Sequence, residues 1–206
     1  MPEPRSCPLR NPAIAGALLF LAGVIIIMGI ITAETLYPGY STARNMISDL
    51  GATMPPDSIV IEPSASIFDA SMIAAGLLIL FAAFSLHCES RDRLFTMLLA
   101  LLGTGVLGIG LFTGRYGTIH TLLALLAFIS GGLVCIAAWR VVRPPFSWFS
   151  VILGVISLST LGSFYFLSGS GPLMALGPGG LERWVAYPVV LWLTGYGGYL
   201  MGEPGR

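Results

Sequence analysis

Six long apolar runs dominate this chain, at about 12–33, 67–87, 94–113, 118–139, 147–167 and 184–201. Each approaches the roughly 20 residues that a helix needs to cross a ~30 Å hydrocarbon layer. A membrane-spanning backbone has to satisfy its own polar groups, so runs of this length are helices. Charged residues are only 10% of the chain and hydrophobic residues 55%, against about 25% charged in a soluble domain. The expected fold is all-α: a polytopic six-transmembrane-helix bundle forming one domain over 1–206. The first run follows Arg5 and Arg10 as a secretory signal would. Its apolar stretch exceeds the roughly 7–15 residues of a signal core, and Thr32-Ala33-Glu34 is a poor cleavage site, so it reads as a span.

The arginines orient the bundle. All ten basic residues are Arg, and seven fall on one side of the runs: Arg5, Arg10, Arg91, Arg93, Arg140, Arg143 and Arg206. Basic residues in short loops stay in the cytoplasm, which predicts a multi-pass cell-membrane protein with both termini cytoplasmic. The outer connections are then about 34–66, 114–117 and 168–183. A net charge of zero with no basic tract excludes nucleic acid as a partner and leaves membrane lipids. Of three cysteines, Cys7 and Cys88 fall near the cytoplasmic side and Cys135 within a span, which predicts reduced thiols. Glycines crowd the third span (Gly103, Gly105, Gly108, Gly110) and recur at Gly131, Gly132, Gly195, Gly197 and Gly198. Small residues let membrane helices approach closely, so these predict a tightly packed bundle.

The first outer loop carries pattern. Tyr37-Pro38-Gly39-Tyr40 predicts an interfacial turn. Ser41 or Thr42 then caps a predicted short interfacial helix over about 42–50, closed by Gly51 and presenting Met46, Ile47 and Leu50 on one face. Further polar residues gather at the same membrane edge: Glu34, Asp69, Arg115, His120, Glu182, Arg183 and Tyr187. Ionisable groups at this depth cost about 2.5–3.5 kcal/mol and turn toward protein partners. One reading is pairing within the bundle, Arg44 with Asp49 or Asp69 and Arg183 with Glu34. The other is a ligand pocket in which Arg44, Arg115 and Arg183 hold a lipid phosphate by their planar forks, oriented by Asp49, Asp69 and Glu182.

Metal and serine chemistry make different demands on the residue types present. His87 and His120 lie at opposite membrane faces, so no histidine pair exists for zinc and no metal or other cofactor is expected. Candidate catalytic residues are His120 as a general base, with Ser168 or Ser170 as nucleophile, or Asp69 with His120 as a proton pair in a solute transporter. The inner halves of the spans offer almost no polar path for such a transporter. A purely structural membrane protein is the remaining alternative.

The segment Tyr37-Pro38-Gly39-Tyr40-Ser41 with Asn45-Met46-Ile47-Ser48-Asp49-Leu50-Gly51 resembles the first-loop signature of the prokaryotic six-span membrane family of domain-of-unknown-function 998. Gly179-Gly180-Leu181-Glu182-Arg183 with Tyr187-Pro188 resembles that family's closing motif, and His120 its fourth-span histidine. The resemblance implies a six-span membrane fold over nearly the whole chain and points to Tyr37, Asn45, Asp49, His120, Glu182, Arg183 and Tyr187. It implies no reaction. The expectation for function is therefore binding of an anionic lipid or lipid-linked substrate by Arg44, Asn45, Asp49, Arg115, His120, Glu182, Arg183 and Tyr187. A lipid-modifying hydrolase or transferase is the alternative.

Overall fold

A computed structural model describes residues 11–89, 92–166 and 172–202. The calls on Arg5, Cys7, Arg10, Arg91, Ser168, Ser170 and Arg206 lie outside these residues. The described chain is all-helical, with α1 Pro12–Leu36, α2 Ser64–Cys88, α3 Arg93–Leu111, α4 Thr118–Ala137, α5 Phe146–Phe166 and α6 Gly177–Gly202. Five of these, α1 to α5, are long and apolar enough to cross a membrane. Asn11 caps α1 by accepting the Ala13 N–H, and Asp92 caps α3 by accepting the Phe95 N–H, so each start has the side-chain acceptor that orphan first-turn donors need.

The helices form a closed up-and-down ring. Each packs antiparallel on the next, and α6 returns to α1. A Cβ on Gly76 would run into the backbone of Leu107, and one on Gly110 into Asp69 and Ile73, which sets α2 against α3. Gly105 and Gly108 lie against Ala127 and Leu123 of α4, and Gly132 against Leu158 of α5. The Ser157 hydroxyl donates to the Val185 carbonyl at 2.7 Å, and Trp192 Nε1 donates to Ser150 Oγ at 3.0 Å, joining α5 to α6. Gly16 meets Gly197 and Gly23 meets Thr194 on the last seam. Glycine is needed here because the close approach leaves no room for a Cβ, the expected packing device.

α6 is less apolar than the others because its outer end carries Glu182 and Arg183. It nonetheless runs antiparallel beside α1 from Gly197 against Gly16 to Arg183 against Glu34. It also starts earlier than its apolar run. Gly177 (φ +70°) and Gly179 belong to its first turns, and any Cβ there would strike the carbonyls of Ala43 and Asn45. The glycines that read as flexible loop are instead where the first outer loop lies directly on the helix.

The expected interfacial helix over 42–50 reduces to turns and one 3-10 turn, Ser48–Leu50. Side chains take the backbone donors that a continuous helix would use. Asn45 Oδ1 accepts the Ser41 N–H at 3.0 Å, Asp49 Oδ2 accepts the Met46 N–H at 2.9 Å, and Glu182 accepts the Ile47 N–H. Ile47 and Leu50 are buried as expected. The Tyr37–Tyr40 turn forms as read, with Gly39 at φ +74° and the Tyr40 N–H on the Tyr37 carbonyl at 3.2 Å.

Cysteine chemistry departs from expectation. Cys135 is a free, fully buried thiol, but Cys88 is disulfide-bonded. Which thiols meet depends on proximity in the fold, which counting and span placement do not reveal.

Around the ring, large apolar side chains point outward, among them Phe81, Phe84, Leu122, Ile152 and Leu191. Such a continuous apolar exterior suits lipid as solvent, not water. Trp139 and Trp148 stack edge-on with centroids 4.5 Å apart at the end that carries Arg140 and Arg143, where interfacial tryptophans belong.

Candidate functional site: an axial chamber beneath the first outer loop

Two polar clusters share the end of the bundle that carries residues 37–63, and they differ in kind. The first surrounds Arg183, which is 8% exposed. Its Nη1 donates to the carbonyls of Thr42 (2.9 Å), Asn45 (3.2 Å) and Gly179 (2.8 Å). Its Nη2 donates to Glu34 Oε1 (2.5 Å) and to the Tyr40 hydroxyl (2.7 Å). Tyr40 passes its own proton to the Met46 carbonyl at 2.8 Å. Burial raises the Tyr40 phenol above its ordinary value, although the Arg183 hydrogen bond pulls the other way. The Tyr187 hydroxyl lies beside the same guanidinium. This cluster pins residues 40–46 onto α1 and α6 and consumes the fork that a phosphate would require.

The second cluster faces a cavity on the bundle axis. The chamber is lined by Ile26 and Ile30 of α1, Phe68 and Met72 of α2, Leu102, Val106 and Ile109 of α3, Ala124, Ala127 and Phe128 of α4, and Val189, Val190 and Leu193 of α6. Ile47 and Ser48 roof it, with His120 and Glu182 at the same polar end. Its volume is about 80 Å³, and an adjoining cavity of about 180 Å³ shares Ser48, His120, Ala124, Phe128 and Glu182. The adjoining space continues outward past Leu125, Leu161, Phe164 and Tyr165, between α4 and α5. A dry apolar cavity of about 150 Å³ accommodates benzene, so each of these spaces is too small for a two-chain lipid.

His120 is the pivotal residue of this end. α3 stops at Leu111 and the chain reverses through Gly117 (φ +55°), which brings the Phe112 carbonyl over the first turn of α4. His120 Nδ1 lies 2.7 Å from that carbonyl. A carbonyl only accepts, so Nδ1 carries the proton and, in the neutral ring, the lone pair resides on Nε2. Nε2 is buried and has no hydrogen-bond partner, and the residue is 3% exposed. An orphan of that sort costs about 1–3 kcal/mol unless something fills it.

Glu182 accepts the Ile47 and Ser48 N–H groups at the start of the 3-10 turn, and its remaining accessible surface faces the two cavities. Asp49 sits near His120. Burial raises its carboxyl above the ordinary carboxylate range, partly offset by the Met46 N–H and the Asn45 side chain.

The other residues singled out in the sequence do not join this end. Arg44 is exposed and forms no ion pair among the described residues. Arg115 is exposed, stacked over Tyr116 with its guanidinium carbon 5.1 Å from the ring centroid. None of the four cavities described is lined by more than one of Arg44, Arg115 and Arg183. Asp69 packs against Gly51 with its Oδ1 buried and unpartnered, electrostatically closest to Arg115, and it lines neither cavity that His120 lines. Arg183 and Tyr187 face a separate groove between α5 and α6. Asn45 serves the loop, through its side chain to Ser41 and its carbonyl to Arg183. Ser48 was missed as a site residue. The signal was present in the first-loop motif, but only the roofing of the chamber gives that hydroxyl a role.

Beneath the chamber the axis is plugged. Phe95 of α3 meets Trp192 and Tyr196 of α6 across the ring at 6.2 and 5.4 Å between centroids, and all three are fully buried. Among the described residues no group of three or more His, Cys, Asp and Glu is arranged to hold a metal ion.

Outward apolar faces on a helical ring with an interior cavity define an integral α-helical membrane protein. The chain belongs to the family described as Protein of unknown function (DUF998), whose family model matches residues 20–198. No curated protein and no solved structure matches it.

Proposed function

We propose that this protein is a six-span membrane protein, α6 being the sixth span and both termini cytoplasmic, that receives the hydrocarbon chain of a membrane amphiphile in the axial chamber. The amphiphile's polar end rests at His120 and Ser48. The observation that carries this reading is the largely apolar axial chamber that His120, whose Nε2 is buried and unpartnered, lines together with Ser48 and Glu182. A passage for solutes has less support, because the Phe95–Trp192–Tyr196 plug blocks the axis. Native mass spectrometry of protein purified gently from its own membrane tests the proposal. A bound single-chain species, lost when Ala127→Phe fills the chamber, is the expected result. Unchanged lipid retention in Ala127→Phe would overturn it.

A second reading, a lipid-modifying hydrolase or transferase, draws on the same nitrogen. Nδ1 fixed on the Phe112 carbonyl leaves Nε2 free to take a proton as general base. Ser48 is the hydroxyl that shares both cavities with it. Labelling of Ser48 by a serine-directed phosphonate probe is the positive outcome, and an unlabelled protein in active membranes removes Ser48 as nucleophile.

A further inference from the structure

The sign of the charge at the chamber's polar end constrains what can sit there. From α4 comes His120, whose Nε2 offers a lone pair. From α6 comes the Glu182 carboxylate, and from the roof come the Ser48 hydroxyl and, close to His120, Asp49. Among the described residues no Arg lines this space. Arg183 is turned to Glu34, Tyr40 and three carbonyls, and Arg44 and Arg115 are exposed elsewhere. An anionic head would sit against Glu182 with no counter-charge, in a setting where desolvated like charges repel strongly. An ammonium head would lose its hydration to a largely apolar chamber whose Glu182 already accepts two backbone N–H groups. A neutral hydroxyl avoids both costs, and it supplies the donor that Nε2 lacks.

We infer that the occupant is a long-chain alcohol, entering from the bilayer between α4 and α5 and donating its hydroxyl proton to His120 Nε2, and not an anionic lipid. The inference rests on the chain-binding reading above. It also reverses the arginine–phosphate expectation drawn from the sequence. The entrance is the adjoining cavity past Leu125, Leu161, Phe164 and Tyr165, which opens onto the chamber at Ala124 and Phe128. Two small residues on one face of α4, Ala124 and Ala127, keep that route and the chamber below it clear.

The test is competition binding on the full chain in nonionic detergent, with labelled decanol displaced by decanol, decanoate or decylamine. Decanol is expected to bind saturably and decanoate on the order of tenfold more weakly. Glu182→Gln keeps an oxygen for the Ile47 N–H but removes the charge, so it should narrow the decanol–decanoate gap. Ala127→Phe should abolish saturable binding of all three. Decanoate binding as tightly as decanol to the wild type, or decylamine binding tightest, overturns the alcohol assignment and leaves chain binding standing. No saturable binding of any probe overturns the chain-binding reading itself.

Discussion

Arg183 of α6 and His120 of α4 lie at the same end of the bundle, yet the first spends both its terminal nitrogens on protein partners and the second leaves its ring Nε2 without one. Around Arg183 five acceptors, one of them the Glu34 carboxylate of the ion pair, hold residues 40–46 in place. Around His120, which lines the chamber, one nitrogen is satisfied and the other has no partner. A buried polar group with all its bonds made specifies structure, whereas one with a bond missing leaves that bond for a ligand or a water. The contrast separates scaffold from site among residues that a charge count treats alike.

The comparison can be broken at its strongest point first. Arg183→Ala leaves the half-buried Glu34 unpaired and releases two loop carbonyls and one of α6, and should cost about 3 kcal/mol. Thermal unfolding in detergent reads this as a large drop in midpoint. A midpoint near wild type would mean that the clamp is not structural. Gly179→Ala pushes a methyl into the Asn45 carbonyl, and backbone there cannot yield cheaply, so about 1–3 kcal/mol should be lost in the same assay. Ser48→Ala belongs to the open site and removes no hydrogen bond made within the protein. Its stability should stay within about 0.5 kcal/mol of wild type, with weaker decanol binding as the visible change. If Ser48→Ala destabilised as much as Gly179→Ala, the division into scaffold and site would fail.

The smallest effect concerns Asp49. Burial raises its folded pKa above the ordinary 3.8, so the folded state holds that proton more tightly than the unfolded chain does. The resulting stability is fully present below the ordinary value and is lost as pH rises through the raised one. Asp49→Asn should flatten that slope in a series of unfolding midpoints against pH. An unchanged slope would assign the dependence to other carboxyls. A separate check concerns orientation. Cys88 is disulfide-bonded on the arginine-rich face, which the positive-inside rule assigns to a reducing compartment. Accessibility of a cysteine introduced at Arg140 to a membrane-impermeant thiol reagent should be low in intact cells. Ready labelling would invert the topology.

Much of the fold was legible because membrane spans declare themselves by length and apolarity. The α1 to α5 boundaries in the structure fall within a few residues of the apolar runs. The α6 start was not legible, since Gly177-Pro178-Gly179-Gly180 has loop composition and becomes helix only because the 42–45 backbone packs on it. The short helix at 42–50 failed for a related reason. Asn45 and Asp49 look like ordinary helix-surface residues, yet both turn back to cap neighbouring backbone, and the carboxylate that takes the Ile47 N–H comes from α6. The Arg183–Glu34 pair was one of the pairings the sequence suggested, and it forms. The Arg44 pairings do not form among the described residues.

Composition and periodicity alone determined a bundle of apolar helices, its glycine-mediated closeness and the gathering of polar residues at one end. Those properties depend on each segment's own transfer energy and sterics, which a linear reading contains. Only the tertiary structure decided which of those polar residues are spent and which are open. That outcome depends on which side a side chain turns to across helices far apart in the chain: Arg183 to Glu34, Glu182 to Ile47, His120 to Phe112 and the void beyond it.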